Sequence, residues 1–196
     1  MTLNPKPHVR KEINMSRLSI PTVDAAPEAS KPLLAAVHKQ LGVVPNLMKV
    51  IGHSPAALEG YLSLNGALSK GKLDAKLRES IALAVAEYNG CDYCLSAHDY
   101  LGRNVARLSG EEIDAARDGR SADTRANAAL KFARRVVESR GRISDADLAA
   151  LRAADFDEGS VVEIVATVAL NVLTNYVNNV AQTDIDFPKV SVKLAA

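Results

Sequence analysis

The chain has 196 residues, of which 24 are lysine or arginine and 23 are aspartate or glutamate, giving a formal net charge of +1. This length is enough for one domain or two small ones that fold without disulfide bonds. The charge balance argues against nucleic-acid binding, which needs a basic surface. With 47% hydrophobic and 24% charged residues, the composition excludes a wholly disordered chain.

Three features of the sequence predict a cytoplasmic protein. Two cysteines, Cys91 and Cys94, are too few for the disulfide framework of a small secreted protein. The charged N-terminal segment is followed by no apolar run, so it does not resemble a secretory signal. The most apolar stretch, residues 161–180, contains Glu163 and four asparagines. We therefore expect it to be too polar to span a membrane.

The N-terminal residues differ in pattern from the rest of the chain. Residues 1–20 lack hydrophobic periodicity and contain Pro5 and Pro7, which predicts a loosely packed arm. Met15 could serve as an alternative start, in which case the residues before it would be dispensable. Residues 21–196 are predicted to form a single helical domain.

The remaining sequence shows helical spacing of apolar residues from end to end. Serine or aspartate at cap positions, proline in first turns and glycine after last turns divide it into segments. In chain order the predicted helices are 32–41, 45–51, 55–71, 75–88, 91–105, 109–117, 123–140, 144–153 and 158–180. No alternating run predicts a strand. We therefore expect an all-α fold, a compact bundle of eight or nine helices with short loops.

The segment that carries recognisable chemistry is a C-x-x-C motif formed by Cys91 and Cys94, with His98 four residues further on. Residues four apart share a helix face, so the His98 imidazole can lie within hydrogen-bond range of the Cys94 sulfur. Asn89 and Gly90 place Cys91 at a helix N-terminus, where free amide groups and the helix dipole favour a thiolate. Both effects lower a thiol pKa from about 8.5. The motif therefore predicts a redox-active dithiol with a histidine proton shuttle.

Two other interpretations of the motif stay open on the residues alone. A structural zinc site needs four ligands, and the candidates are Cys91, Cys94, His98 and a carboxylate, with no second pair of the usual kind. The cysteines could also be buried as small apolar residues, with His98 in a structural role.

Sequence spacing alone does not determine which carboxylate is the partner of the motif. Glu79 stands near the start of a predicted helix, where an exposed acid commonly complements the helix dipole. Glu87 lies closer to Cys91 in the sequence. The two positions are about 80° apart around a helix, so both carboxylates could face the same neighbour.

A family resemblance favours Glu79. Four residues form the pattern E-x11-C-x2-C-x3-H: Glu79, Cys91, Cys94 and His98. This pattern resembles the alkylhydroperoxidase D-like branch of the carboxymuconolactone decarboxylase superfamily. The segments VPNL at 44–47 and NVLTNYVNN…DFP within 171–188 are similar to peroxidase-related members, so the resemblance covers about residues 30–190.

The resemblance implies an all-helical homo-oligomer, trimeric or hexameric, that reduces hydroperoxides with thiols and uses no haem, flavin or metal. It implies that Cys94 is the peroxidatic cysteine, Cys91 the resolving cysteine, and His98 with Glu79 the proton relay. An external dithiol would then restore the thiols. Tyr93 departs from the best-known members, which carry a second histidine there. A phenol with a pKa of about 10 is no base near neutral pH, which predicts a simpler relay and a lower rate.

Two alternative functions remain beside the peroxidase. The decarboxylase members of the superfamily act on a lactone and do not depend on a C-x-x-C, so the intact pair argues against that activity. A redox-sensing or metal-holding oligomeric scaffold would need no catalysis.

The helix predicted at 158–180 indicates an assembly. It is apolar around most of its girth, which predicts a homo-oligomer that buries part of this helix or of the cysteine region. Four asparagines lie along it at about helical spacing: Asn171, Asn175, Asn178 and Asn179. They predict buried hydrogen bonds to neighbouring loops or to another subunit.

Overall fold

The computed structural model of the protein describes residues 16–193, and within that range it contains nine α-helices and no strand. The predicted all-α fold is confirmed. The helices are α1 (Lys31–Leu41), α2 (Asn46–Ile51), α3 (Pro55–Leu68), α4 (Ala75–Tyr88), α5 (Asp92–Leu101), α6 (Gly110–Arg117), α7 (Thr124–Ser139), α8 (Asp145–Ala153) and α9 (Glu158–Ala181).

Local capping signals start the helices that surround the site. The Asp74 carboxylate accepts the Leu77 N–H at 2.8 Å at the start of α4. Ser109 and Glu112 form the predicted capping box at the start of α6. Such caps satisfy amide groups that have no partner inside the helix, which is why they mark helix starts in the sequence.

Helix α5 ends earlier than the sequence predicts. Its α-helical part stops at Leu101, and the chain continues as a π-helical turn over Gly102–Ala106. Gly102 is buried, and a Cβ atom there would lie 3.3 Å from the Leu108 side chain. Close packing of this turn against the start of α6 therefore explains the change of helical pitch.

Helix α4 is the centre of the molecule. It packs against α5, α6, α7 and α9, and its residues 80–87 are all buried. Neighbours on every side explain why residues 81–86 of α4 are continuously apolar rather than apolar on one stripe. The helix that carries Glu79 is thereby fixed at the heart of the core.

Helix α9 is long and apolar enough, by length and composition, to cross a membrane, with a mean hydropathy of 1.5 over its most apolar window. Within the protein 44% of that window is buried, and α9 packs against α3, α4 and α7. The polar residues that weighed against a membrane span have partners here: Glu163 accepts the Lys72 N–H at 2.7 Å. Helix α9 thus packs one face against the core and leaves the other face exposed.

The predicted N-terminal arm is described only in part. Residues 1–15, with Met15, lie outside the described residues. The Ser16 hydroxyl and the Arg17 N–H both donate to the Ala181 carbonyl, at 3.0 and 2.6 Å. This carbonyl belongs to the last turn of α9, where helical carbonyls lack partners inside the helix. The chain entering α1 is therefore tied to the end of α9.

The segment after α9 returns across the start of α5. The Val190 N–H donates to the Ser96 hydroxyl at 2.9 Å, and the Val192 N–H donates to the Asp92 carboxylate at 2.9 Å. Arg117 adds a hydrogen bond to the Ser191 carbonyl at 2.8 Å. The first turns of α5, where the C-x-x-C motif lies, are therefore covered by the C-terminal segment.

Candidate functional site

The C-x-x-C motif lies at the junction between α4 and α5. Gly90 adopts a left-handed φ of +64°, which turns the chain after α4, and the Cys91 N–H donates to the Ala86 carbonyl at 3.0 Å. Cys91 is the N-cap of α5, and Cys94 lies in its first turn. The two sulfur atoms form an intrachain disulfide.

The start of α5 gives the sulfur atoms a favourable electrostatic setting. The Cys91 Sγ accepts the Cys94 N–H at 3.2 Å, which is an N-cap hydrogen bond made by sulfur. Amide groups at a helix N-terminus stabilise negative charge and lower a thiol pKa. Cys91 is 0% exposed and Cys94 is 2% exposed. The disulfide is thus buried, at the end of a helix that favours a thiolate.

The structure brings His98 and Glu79 together, whereas among the described residues no hydrogen bond joins His98 to the Cys94 sulfur. The His98 Nδ1 lies 2.8 Å from the Glu79 Oε2, with the side chains 20% and 23% exposed. A carboxylate only accepts hydrogen bonds, so Nδ1 donates to Glu79, and Nε2 is the ring nitrogen that Glu79 does not engage. A proton can then pass to and from Nε2 while Glu79 holds the ring.

The rival carboxylate, Glu87, is engaged elsewhere. It is 3% exposed and its Oε2 accepts the Arg117 Nε–H at 2.7 Å. Its other oxygen accepts the Lys193 N–H. The contacts of Glu87 therefore tie Arg117 and the C-terminal segment to α4. Glu79 and Glu87, which sequence spacing could not distinguish, thus have different partners.

A small cavity of about 60 Å³ adjoins the histidine and the glutamate. Its lining includes Glu79, His98 and Tyr61. Burial, and then the charge of Glu79, raise the pKa of Tyr61 to about 12, so this phenol stays neutral. Tyr61 carries no sequence signal that points to the site, because it lies within α3, far from the C-x-x-C motif in the sequence.

Tyr93, between the two cysteines, is held by contacts with residues that are distant in the sequence. Its hydroxyl donates to the Asp186 Oδ1 at 2.7 Å and accepts the Leu47 N–H at 3.1 Å. Burial raises the pKa of Tyr93 above its ordinary value, and the Asp186 carboxylate raises it further. The Phe187 ring packs edge-on against Tyr93, with centroids 5.8 Å apart. Tyr93 thus joins the motif to two segments far away in the sequence.

Those two segments also bind each other. The Asn46 N–H donates to the Asp186 Oδ2 at 2.8 Å, and the Asn46 amide donates to the Asp184 carbonyl at 3.0 Å. The residues 44–47 and 171–188 that carried the family resemblance therefore meet beside the C-x-x-C motif.

The asparagine stripe of α9 makes its hydrogen bonds within the chain, and most of them reach the cysteine turn. Asn178 Nδ2 donates to the Cys94 Sγ at 3.2 Å. Asn175 accepts from the Asn89 side chain at 2.8 Å, and Asn179 donates to the Asn89 carbonyl at 3.0 Å. The stripe itself was visible in the sequence, but its sulfur partner was not.

A larger cavity of about 620 Å³ opens beside the start of α5. Its lining includes Gly90, Tyr93, Asn178, Thr183 and Lys189. It lies next to the turn that holds the cysteines, although neither sulfur lines it directly.

The zinc interpretation can be compared with the residues that the structure describes. Among them, no three His, Cys, Asp or Glu side chains are grouped as a metal site requires. Cys91 and Cys94, two of the candidate ligands, are bonded to each other.

Comparison with known proteins supports the family resemblance. Residues 55–139 match the model of the carboxymuconolactone decarboxylase family. An uncharacterized protein of Haemophilus influenzae is 51% identical over 45 residues. That match spans 22% of this chain and 40% of the curated relative's own length.

Solved structures extend the likeness to most of the chain. The alkylhydroperoxidase AhpD core of a peroxidase-related protein from Ralstonia eutropha JMP134 has a TM-score of 0.78 and 26% identity, covering 88% of this chain and 93% of that one. A peroxidase-related protein from Silicibacter sp. TM1040 has a TM-score of 0.76 and 24% identity, covering 90% and 94%. The debrominase Bmp8, solved with 2,3,4-tribromopyrrole, shares the fold with a TM-score of 0.70 and 20% identity, covering 90% and 93%.

Proposed function

We propose that the chain reduces hydroperoxides through its dithiol, because residues 55–139 match the carboxymuconolactone decarboxylase family and the fold is similar to the alkylhydroperoxidase AhpD core of a peroxidase-related protein. The observation that carries this proposal is the pairing of Cys91 with Cys94 at the start of α5. One turn further on, His98 is held by Glu79. A redox pair and a positioned proton shuttle are the two elements that thiol-dependent reduction needs.

In the first step the Cys94 thiolate attacks the terminal oxygen of a hydroperoxide. A sulfur–oxygen bond forms, the oxygen–oxygen bond breaks, and an alkoxide leaves. His98, which has taken the proton of the Cys94 thiol on Nε2, returns it to the alkoxide to give an alcohol. The products are a sulfenic acid on Cys94 and the alcohol, and Glu79 stabilises the charged imidazole between the two transfers.

In the second step the Cys91 thiol condenses with the sulfenic acid. The new disulfide forms between the two sulfur atoms, and the hydroxyl leaves as water with the Cys91 proton. An external dithiol then reduces the disulfide by exchange and is itself oxidised to a disulfide. A pair that must be reduced again at each turnover suits a reducing compartment, which supports a cytoplasmic location.

The contacts of the two cysteines support the assignment of roles. Cys91 has no exposed surface, whereas Cys94 retains 2% and lies four residues before His98 on α5. The histidine therefore shares a helix face with Cys94, and this is why we propose Cys94 as the nucleophile and Cys91 as the resolving thiol.

Thiol titration of the reduced protein tests this proposal. One equivalent of an organic hydroperoxide should remove both thiols of a chain together and leave an intrachain disulfide, seen by mass spectrometry. Repeated turnover should follow when dithiothreitol is supplied as the dithiol. A thiol that stays titratable, or disulfides that form between chains, would contradict the mechanism.

The same experiment separates the alternatives. Disulfide formation without repeated turnover would contradict the enzyme and favour a redox-sensing scaffold. Peroxide consumption that survives replacement of both Cys91 and Cys94 by serine would contradict dithiol chemistry altogether.

A further inference from the structure

Asn178 contacts the sulfur atom that the proposed function uses as the nucleophile. Its Nδ2 lies 3.2 Å from the Cys94 Sγ, and the hydrogen bond joins α9 to α5 across 84 residues of sequence. The Asn178 side chain and Cys94 are each 2% exposed. Water therefore has little access to replace this hydrogen bond when it is lost.

The orientation of the amide is set by its neighbour. The sulfur of a disulfide or a thiolate accepts hydrogen bonds, so the amide presents its donor end to Cys94. The opposite end, Oδ1, is buried and has no hydrogen-bond partner among residues 16–193. A buried carbonyl oxygen without a partner destabilises a fold, so an apolar side chain of similar size would serve packing better. Stability of the core alone does not explain an amide at this position.

The other groups around Cys94 show what Asn178 adds. The elements packed against α5, and α5 itself, carry these titratable or charged side chains: Lys76, Arg78, Glu79, Glu87 and Tyr88 on α4; Asp92, Tyr93, His98, Asp99 and Tyr100 on α5; Arg103 in the π-helical turn; Glu158, Glu163 and Tyr176 on α9; and Asp184, Asp186, Lys189 and Lys193 on the C-terminal segment. The α9 groups point elsewhere: Glu163 binds the Lys72 N–H, Glu158 binds Arg152 and Tyr176 is 57% exposed. From α9, a neutral donor faces the sulfur.

We infer that Asn178 is a positioning residue for Cys94, which holds its sulfur and stabilises the thiolate once the disulfide is reduced. This inference rests on the proposed role of Cys94. A hydrogen bond to a charged acceptor is stronger than one to a neutral acceptor. The Asn178 amide therefore favours the thiolate over the thiol, and the reduced pair over the disulfide.

The test uses the full chain with Cys91→Ser, in which Cys94 is the single thiol. Asn178→Leu is added to this background, and the ultraviolet absorbance of the thiolate is followed against pH. Loss of a charge-assisted hydrogen bond should raise the pKa of Cys94 by about one to two pH units. In the chain with both cysteines, Asn178→Leu should lower the reduction potential of the pair, because the reduced form loses stabilisation.

A second substitution at Asn178 keeps the test valid if the leucine of Asn178→Leu does not fit the buried site. Asn178→Asp keeps the shape and places a carboxylate beside the sulfur, so it should raise the pKa of Cys94 at least as far. The matched control is Asn175→Leu, at a fully buried asparagine on the same face that binds Asn89 instead of a sulfur. It should leave the pKa of Cys94 unchanged.

An unchanged Cys94 pKa and potential in the Asn178 variants would overturn the inference. Equal shifts in the Asn175 control would also overturn it, because the effect would then be one of general packing. Neither readout involves a peroxide. A shift without any peroxide consumption would therefore contradict the proposed function and leave the role of Asn178 standing.

Discussion

The two cysteines differ in their surroundings although only two residues separate them. The Cys91 sulfur accepts an amide hydrogen bond at the N-cap, which by itself would favour Cys91 as the thiolate. Cys94 has His98 one turn ahead and the Asn178 amide across the helix interface. A general base removes a proton and can return it to the leaving alkoxide, whereas a dipole only stabilises charge. This difference is the reason that we propose Cys94 as the nucleophile.

Serine variants test this assignment. We expect Cys94→Ser to abolish sulfenic-acid formation, detected by trapping and mass spectrometry. Cys91→Ser should still form the sulfenic acid but should not turn over, because the resolving thiol is missing. His98→Ala should slow the first step by about 10²–10⁴-fold, the usual loss when acid–base help is removed. Trapping of a sulfenic acid on Cys91 in the Cys94→Ser protein, at the wild-type rate, would reverse the roles.

Tyr93→Phe tests whether the residue between the cysteines is structural. The change removes the hydroxyl that binds the Asp186 Oδ1 and the buried Leu47 N–H, while the Asp186 Oδ2 keeps its hydrogen bond from the Asn46 N–H. We expect a loss of about 1–3 kcal/mol in the free energy of unfolding, measured by urea denaturation. Formation of the disulfide by peroxide should persist.

The control for this variant is Tyr100→Phe. Tyr100 is 43% exposed and packs on the same Phe187 ring, with centroids 5.9 Å apart. Its loss of a hydroxyl should change stability by less than about 0.5 kcal/mol. If Tyr93→Phe instead stops the peroxide reaction at full stability, Tyr93 belongs to the proton relay.

At the scale of elements, α9 is the longest helix described and its start is held by charge. Its N-cap Asp157 accepts the Ser160 N–H at 2.8 Å and also pairs with the Lys72 ammonium group. The Lys72 hydrogen bond first, and then the Ser160 hydrogen bonds, hold the pKa of Asp157 well below its ordinary range. The cap therefore couples the stability of α9 to pH.

We expect Asp157→Asn to be less stable than the wild type at neutral pH, with the difference vanishing in acid. A carboxyl whose pKa is lower in the folded state contributes stability above its unfolded pKa of about 3.9. That contribution falls as the pH drops from there through the folded-state pKa. Urea midpoints of both proteins at neutral pH and at a series of pH values falling from about 4 measure this contribution, and the difference between the proteins should shrink progressively along the series. A difference that is independent of pH would show that the charge of Asp157 does not act in this way.

The starts of the helices could be predicted from the sequence, but the end of α5 and its change to a π-helical turn could not. The caps of α4 and α6 were predictable because each involves residues three apart. The end of α5 was not, because Leu108 and Ile113, which come later in the chain, pack against Gly102 there. Local signals determine where helices start, and tertiary neighbours decide how they end.

Across the whole molecule, α9 presents two different faces. Asn175 and Asn178 face inward to the cysteine turn, whereas the opposite face exposes a row of apolar side chains at helical spacing: Val162, Val165, Leu173, Tyr176 and Val180. A continuous apolar row of this length is more than a monomer surface usually exposes. The predicted homo-oligomer would therefore bury this row rather than the asparagines.

We expect multi-angle light scattering at micromolar concentration to give the mass of a homo-oligomer, a trimer or a hexamer as the resemblance implies. Leu173→Lys combined with Tyr176→Lys should shift the mass toward the monomer, because two charges would be buried at the interface. Val105→Lys, at a residue 67% exposed outside α9, should keep the wild-type mass. A monomeric wild-type protein would contradict the prediction.

The amino-acid sequence by itself determined the helices and the chemistry-bearing motif. Caps, first-turn prolines and apolar spacing act between residues within a few positions, so the nine helices and the location of Cys91 at a helix start could be derived from local rules. The C-x-x-C and His98 lie within eight residues of sequence, close enough for spacing to be informative.

Only the tertiary structure decided which partners the motif has. Glu79 rather than Glu87 binds His98, because Arg117 and the C-terminal segment engage Glu87. Asn178 reaches Cys94 across 84 residues. Such contacts depend on how α4, α5 and α9 pack together, and side-chain packing between distant segments leaves no periodic trace in the sequence.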